Sequence, residues 1–219
     1  MKTNILLITK VDVLKDNELF EIAYNKVSLQ RKQKVDKYRD SNDKYLSLAT
    51  ELLLKEGLRY FDINEDIEII YDEKPKLKDL DIYFNFSHSN EYTICALSNE
   101  EIGSDIEYIK NDNLKIAERY FNTQMYQNII NENDIDRRKE LFYSYWTSLE
   151  SFIKCIGQGL RIPFNEINVD LDNSIVNYKD TDYYINQLNI DNKYKCTTCA
   201  KNKIDIEVIC VDLKTILKK

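Results

Sequence analysis

Apolar and polar residues alternate along residues 4–13, the period of a half-buried strand. Residues 28–60 are instead rich in helix formers, and LATELLLKEGLRYF reads as a buried helix ending near Gly57. Two strand-like runs follow, IEIIY at 67–71 and DIYFNFS at 81–87, with Lys74-Pro75 in the loop between them. YTICALS (92–98) and EIGSDIEYI (101–109) read as a strand pair turning at Asn99-Glu100. The second half then starts over. NLKIAERYF (113–121) and a polar stretch precede a long helix over about 137–157. After Gly157 and Gly159, strand-like runs lie near 166–171, 174–178, 182–190 and 193–200, and IDIEVICVDL (204–213) comes last. Helix followed by strands thus occurs twice, split near residue 100. This predicts an α+β fold of two similar lobes, 1–100 and 101–219, in preference to one sheet with helices on both faces. No sequence repeat relates the halves. No low-complexity linker separates them, so they are expected to pack tightly.

Composition narrows the function. With 219 residues the chain can bury a real core. No apolar stretch approaches a membrane span, and the N-terminal MKTNILLITK lacks the small-residue cleavage site of a signal peptide. A cytoplasmic location is the default expectation. The formal net charge of -7 argues against a general nucleic-acid or membrane partner, which would want a basic surface. The odd count of five cysteines fits reduced thiols. Cys196-Thr-Thr-Cys199 is a lone C-x-x-C with no second pair, so zinc lacks its usual four ligands, and two strand cysteines are the better reading.

Three segments carry candidate chemistry. In Phe84-Asn85-Phe86-Ser87-His88-Ser89, His88 is the only histidine, just past a strand in a polar cluster. Ser87 and His88 are adjacent on an extended chain and point to opposite faces, so they are no nucleophile–base pair with each other. Their donors suit a phosphate ligand better. In Ile102-Gly103-Ser104-Asp105-Ile106-Glu107, Asp105 and Glu107 share one face of a strand. Paired carboxylates repel, and a divalent cation removes that cost; hard oxygen ligands suit Mg²⁺. A solvated strand face is the plain alternative. In Trp146-Thr147-Ser148-Leu149-Glu150-Ser151-Phe152-Ile153-Lys154, helical spacing puts Trp146, Glu150 and Lys154 on one stripe, with two of the four glycines just beyond. The alternative there is a solvated Glu–Lys pair.

Together these segments resemble the Sfp-type 4'-phosphopantetheinyl transferases. That family's pattern is a Ser-His-Ser-like element, then G-x-D-x-E, then W-x-x-K-E-[SA]-x-x-K-x-x-G-x-G-L. This chain reads FNFSHS, IGSDIE and WTSLESFIKCIGQGL in that order. The resemblance also reaches SLQRKQKVDKYRDSNDKYL, Glu73-Lys74-Pro75 and IPFN (162–165), and so covers nearly the whole chain. It implies a pseudo-symmetric two-lobed monomer with coenzyme A between the lobes. It implies transfer of the 4'-phosphopantetheine arm to a serine of an apo carrier protein (acyl, peptidyl or polyketide), releasing 3',5'-ADP. By the same resemblance Asp105, Glu107 and Glu150 are the Mg²⁺ ligands, and Arg31, Lys34 and His88 hold the 3'-phosphate. Lys74, Pro75 and Ser87 line the nucleotide pocket, Lys154 lies by the pyrophosphate, and Glu150 accepts the serine proton.

Two positions depart from the pattern: Leu149 replaces the lysine before the glutamate, and Gln158 replaces a frequent lysine. The first leaves open weaker coenzyme A binding, compensation from elsewhere, or a family member that binds coenzyme A or a carrier without transfer. Because Leu149 adjoins Glu150, a lysine restored there is expected to reach a phosphate if that edge of the helix faces the cleft. A Ser-His hydrolase is a further alternative, and it lacks the glycines of a nucleophile elbow around Ser87.

Overall fold

The computed structural model describes residues 4–64, 67–70 and 74–218. Glu73, Tyr71 and the first three residues, which entered the sequence reading, lie outside them. The chain opens with β1 (Asn4–Lys10) and three helices, α1 (Asn17–Lys26), α2 (Leu29–Lys37) and α3 (Ser41–Arg59). Each helix start is fixed by a short polar side chain. Asp16 accepts the Glu18 and Leu19 amides, Ser28 accepts that of Arg31, and Asp40 that of Asn42. β2 (Ile69–Ile70) and β3 (Lys76–Leu77) form a small ribbon, followed by β4 (Tyr83–Ser89), β5 (Tyr92–Ser98) and β6 (Ile102–Tyr108). Then come α4 (Leu114–Tyr120), α5 (Thr123–Ile130) and α6 (Ile135–Ile156). The last stretch holds β7 (Asn168–Asp170), β8 (Ile175–Tyr178), β9 (Thr181–Leu188), β10 (Tyr194–Ala200), β11 (Glu207–Cys210) and α7 (Leu213–Lys218).

Two sheets result, ordered β11-β1-β5-β4 and β6-β10-β9-β8-β7. The fold is α+β, with one long helix on the outer face of each sheet. Along β1, Ile5 and Leu7 join the core beneath α3 that includes Leu53, Leu54 and Leu97. Leu6 and Ile8 point the other way and meet Ile102, Ile106, Tyr194 and Cys196 of the second sheet. The period of two thus serves two cores, and the lobes are joined by an apolar layer instead of a linker. The outer face of the second sheet packs on α6 through Leu149, Phe152, Ile185 and Cys199.

The structure corrects several sequence readings. β5 and β6 are no hairpin: β5 pairs with β1 and β4, while β6 pairs with β10. The chain changes sheet at Asn99-Glu100. Nor are the lobes contiguous at 1–100 and 101–219. β11 returns to pair parallel with β1, Ile5 opposite Glu207 through Ile8 opposite Cys210, and α7 packs beside α1 and α3. The run read as one strand over 204–213 is therefore a four-residue strand leading to a helix. The polar stretch after 121 contains α5, whose Met125 and Ile129 are buried. Cys196 and Cys199 lie in different cores on opposite sides of β10, so the C-x-x-C forms no pair. No helix among the described residues is long and apolar enough to cross a membrane.

Candidate active site

Between the lobes lies a cleft of about 530 Å³, its walls drawn from both halves of the chain. Its floor begins with a sequence device in FNFSHS. Asn85, Ser87 and Ser89 alternate along β4, so all three face β6. Asn85 Oδ1 accepts the Ser104 amide at 3.0 Å, the Ser87 hydroxyl donates to Asp105 Oδ1 at 2.8 Å, and the Ser89 hydroxyl donates to Glu107 Oε2 at 2.8 Å. Ser89 Oγ also accepts the Tyr108 amide at 3.1 Å. Side chains thus stitch β4 to β6 where no backbone ladder joins them, and they set Asp105 and Glu107 on the cleft.

The opposite half of this wall comes from α6, which lies directly on β6. Gly103 permits the approach: a Cβ there would collide with the Ser151 carbonyl oxygen and the Cys155 backbone nitrogen. The glycine of IGSDIE is thus required by helix–strand contact. With α6 held so close, Trp146, Glu150 and Lys154 all line the cleft. The Lys154 ammonium donates to Asp105 Oδ1 at 2.6 Å, and to Ser87 Oγ and the Ser104 carbonyl at 3.2 Å each. Gly157, in the left-handed region at φ 70°, ends the helix.

Three carboxylates therefore share one space. Burial, followed by the Asp105 charge, pushes both Glu107 and Glu150 above the usual carboxylate range, while Lys154 opposes this. Asp105 is 3% exposed, and its Oδ2 is buried without a hydrogen-bond partner. Among the described residues no three carboxylate, imidazole or thiol groups already form a cation cage. The donor set nevertheless fits a hard divalent cation: three oxygen-bearing groups whose mutual repulsion and one orphaned oxygen a cation would relieve.

The facing wall is cationic. Arg31 and Lys34 come from α2, and His88 from the outer end of β4, beside Phe86, Tyr38, Ser47, Thr50 and Pro75. Partial desolvation at the cleft wall, then the Lys154 and Lys34 charges, lower the His88 imidazole below its ordinary value, although one side of the ring stays open to solvent. Lys34, itself solvent-exposed, is lowered in the same direction by partial desolvation and the Arg31 charge. One expected member sits elsewhere. The Lys74 ammonium donates to the Cys155 carbonyl at 2.6 Å, at the end of α6, and lies 3.9 Å from Glu101.

Leu149 also departs from expectation. It is fully buried in the core containing Phe121, Phe142 and Phe152, so it does not edge the cleft, and replacing a lysine there takes no charge from this site. Sequence reasoning overlooked Phe86, Ser47 and Thr50. Phe86 shares the alternate face with His88, and Ser47 and Thr50 are three apart on α3, so both periods held the signal.

Residues 101–199 match the profile of the 4'-phosphopantetheinyl transferase superfamily. The 4'-phosphopantetheinyl transferase gsp of Aneurinibacillus migulanus is 34% identical over 202 residues, covering 89% of this chain and 85% of that protein. The 4'-phosphopantetheinyl transferase Sfp of Bacillus subtilis (strain 168) is 32% identical over 184 residues, covering 80% and 82%. A Thermotoga maritima holo-[acyl-carrier-protein] synthase overlays 45% of this chain and 61% of its own with a TM-score of 0.34 at 15% identity, too distant to bear on the fold. At such identity over most of its length, the chain belongs to the 4'-phosphopantetheinyl transferases.

Proposed function

We propose that this enzyme transfers 4'-phosphopantetheine from coenzyme A to a serine hydroxyl of an apo carrier protein. The observation that carries the reading is the division of one cleft into a cationic wall and a carboxylate wall. Arg31, Lys34 and His88 suit the 3'-phosphate, since each can donate charge-assisted hydrogen bonds. Pro75 and Ser87 border the nucleotide, and Lys74 serves by tying the Pro75 loop to the end of α6. The serine oxygen forms a bond to the β-phosphorus while the pyrophosphate P–O bond breaks, and 3',5'-ADP leaves. Glu150, its proton affinity raised by burial and the Asp105 charge, accepts the serine proton directly or through water. Lys154 sits to offset charge gathering on the departing phosphate. Asp105, Glu107 and Glu150 would hold a Mg²⁺ ion, which when bound neutralises pyrophosphate charge. One chain lines the whole cleft, which suits a monomer.

The test is to mix the protein with coenzyme A, Mg²⁺ and an apo carrier domain and to weigh the carrier. A mass gain of one phosphopantetheine arm, lost in EDTA, is expected. Binding of coenzyme A with no gain on peptidyl, acyl or polyketide carriers would point to a non-catalytic binding protein.

A further inference from the structure

Behind the cationic wall lies a carboxylate that the proposed chemistry leaves unused. Glu51 sits in the middle of α3, flanked by Thr50 and Leu52, and is 1% exposed. An ionised carboxylate sealed from water is costly unless paired and hydrogen-bonded. Glu51 is both. The Ser28 amide donates to its Oε1 at 2.6 Å, the Ser28 hydroxyl to Oε2 at 2.9 Å, and Arg31 Nε to Oε2 at 3.3 Å. Ser28 in turn caps α2, its Oγ accepting the Arg31 amide at 3.2 Å. One carboxylate therefore fixes both the first turn of α2 and the side chain that leaves it.

Arg31 is 5% exposed yet still forms part of the cleft wall beside Lys34 and His88. Its Nη1 donates to Ser47 Oγ at 3.4 Å, and its guanidinium lies 5.8 Å from the centre of the Phe86 ring. A long side chain normally loses considerable rotamer freedom when a ligand fixes it. Here the fold has already done so. The Glu51 carboxylate also offsets Arg31 from behind, which lets a second cation, Lys34, share the same wall.

We propose that Glu51 is a positioning residue: it presents Arg31 to the cleft, so that ligands bearing a terminal phosphomonoester are preferred over those without one. This rests on the assignment of Arg31 to the 3'-phosphate of coenzyme A. The role is separable from mere structural support, because it acts on one phosphate and leaves the rest of the ligand untouched.

The experiment compares KM and kcat for coenzyme A and dephospho-coenzyme A in the full chain, with thermal melts alongside, for Glu51→Gln, Glu51→Asp, Arg31→Met and the double variant E51Q/R31M. E51Q is expected to raise KM for coenzyme A roughly tenfold, the scale of one charge-assisted hydrogen bond. KM for dephospho-coenzyme A moves less than about twofold, and the loss does not appear in kcat. The double variant is no worse than R31M alone, since both act through one contact. E51D keeps the charge and recovers part of the preference. Should E51Q unfold, E51D alone carries the test, with a preference lying between wild type and R31M. If R31M loses the preference while E51Q and E51D keep it and only melt earlier, Glu51 is structural and the proposal is wrong, though Arg31 keeps its assignment. If R31M itself keeps the preference, the assignment fails and the proposal with it.

Discussion

The two walls of the cleft are built in different ways. The carboxylate wall rests on a close backbone contact, with the Ser87 and Ser89 hydroxyls steadying Asp105 and Glu107. β6 and α6 touch through Gly103, and Asp105, Glu107, Glu150 and Lys154 leave from fixed positions on those two elements. The cationic wall rests on side chains. Arg31 and Lys34 reach in from the nine-residue α2, His88 stands at the end of β4, and Glu51 braces Arg31 from α3. A bond-forming centre tolerates little displacement, whereas a phosphate can be gripped by several side chains that each contribute separately. Disturbing the first wall should therefore abolish turnover, and disturbing the second should weaken binding by degrees.

The sharpest break of this contrast is Glu150→Gln. Loss of the proposed proton acceptor should lower kcat by about 10²–10⁴-fold, the range for general-base removal. Asp105→Ala and Glu107→Ala should likewise remove most activity. Because three carboxylates repel across one cleft, E150Q should also melt slightly above wild type. Transfer assays and melts on one preparation check both signs. Full turnover by E150Q would move the proton acceptor elsewhere.

Next in size is Leu149→Lys. Leu149 has no contact with the cleft, and an ammonium in its place would be buried among Phe121, Phe142 and Phe152. A cost of several kcal/mol is expected, with a clear fall in melting temperature and no gain in coenzyme A affinity. Tighter binding at unchanged stability, measured by calorimetry, would show that this edge of α6 faces the ligand after all.

Leu149 also shows where the sequence was legible. Phe142, Tyr145, Leu149, Phe152 and Ile153 recur at spacings of three and four, the apolar stripe of a core-facing helix. At roughly 100° per residue, Leu149 falls well away from Lys154 around the helix. That information was present, and adjacency to Glu150 in the sequence obscured it. The same periodicities correctly placed Asp105 with Glu107, and Trp146 with Glu150 and Lys154, because faces follow from local geometry. What local geometry withholds is pairing. Nothing in YTICALS and EIGSDIEYI says that their strands join different sheets, or that residues 207–210 return to β1. Those choices are made by contacts distant in sequence. Glu51 lies between these cases. A charge inside LATELLLKEGL is visible as an anomaly, but its partners Ser28 and Arg31 emerge only when α2 packs on α3.

Gly103→Ala tests the backbone contact itself. The added methyl would meet main-chain atoms of α6, which cannot swing aside as a side chain would. Overpacking of this kind costs about 1–3 kcal/mol. Turnover should fall further than that stability loss alone explains, because shifting α6 carries Glu150 and Lys154 away from Asp105. Normal kcat in a destabilised but folded G103A protein would mean that Glu150 and Lys154 do not depend on the close contact of α6 with β6.

The smallest effect belongs to the cationic wall and is read through pH. His88 is held below its ordinary value by partial desolvation and by the Lys154 and Lys34 charges, so the folded protein takes up a proton there less readily than an unfolded chain. As pH falls through about 6.5, the unfolded state takes up the proton first, and stability declines until the folded ring protonates as well. A bound phosphate reverses the local field and favours the imidazolium. Coenzyme A should therefore bind with proton uptake, and its affinity should rise a few-fold between pH 8 and pH 6.5. Dephospho-coenzyme A should show much less of this rise. In His88→Ala the slope should flatten, with coenzyme A affinity reduced roughly tenfold, the scale of one charge-assisted bond. Calorimetry in buffers of different ionisation heat counts the protons directly. The phosphate has its own second pKa near 6, so the difference between wild type and His88→Ala is the quantity that matters. An identical pH slope in both proteins would remove His88 from the phosphate site, leaving Arg31 and Lys34 to hold that wall.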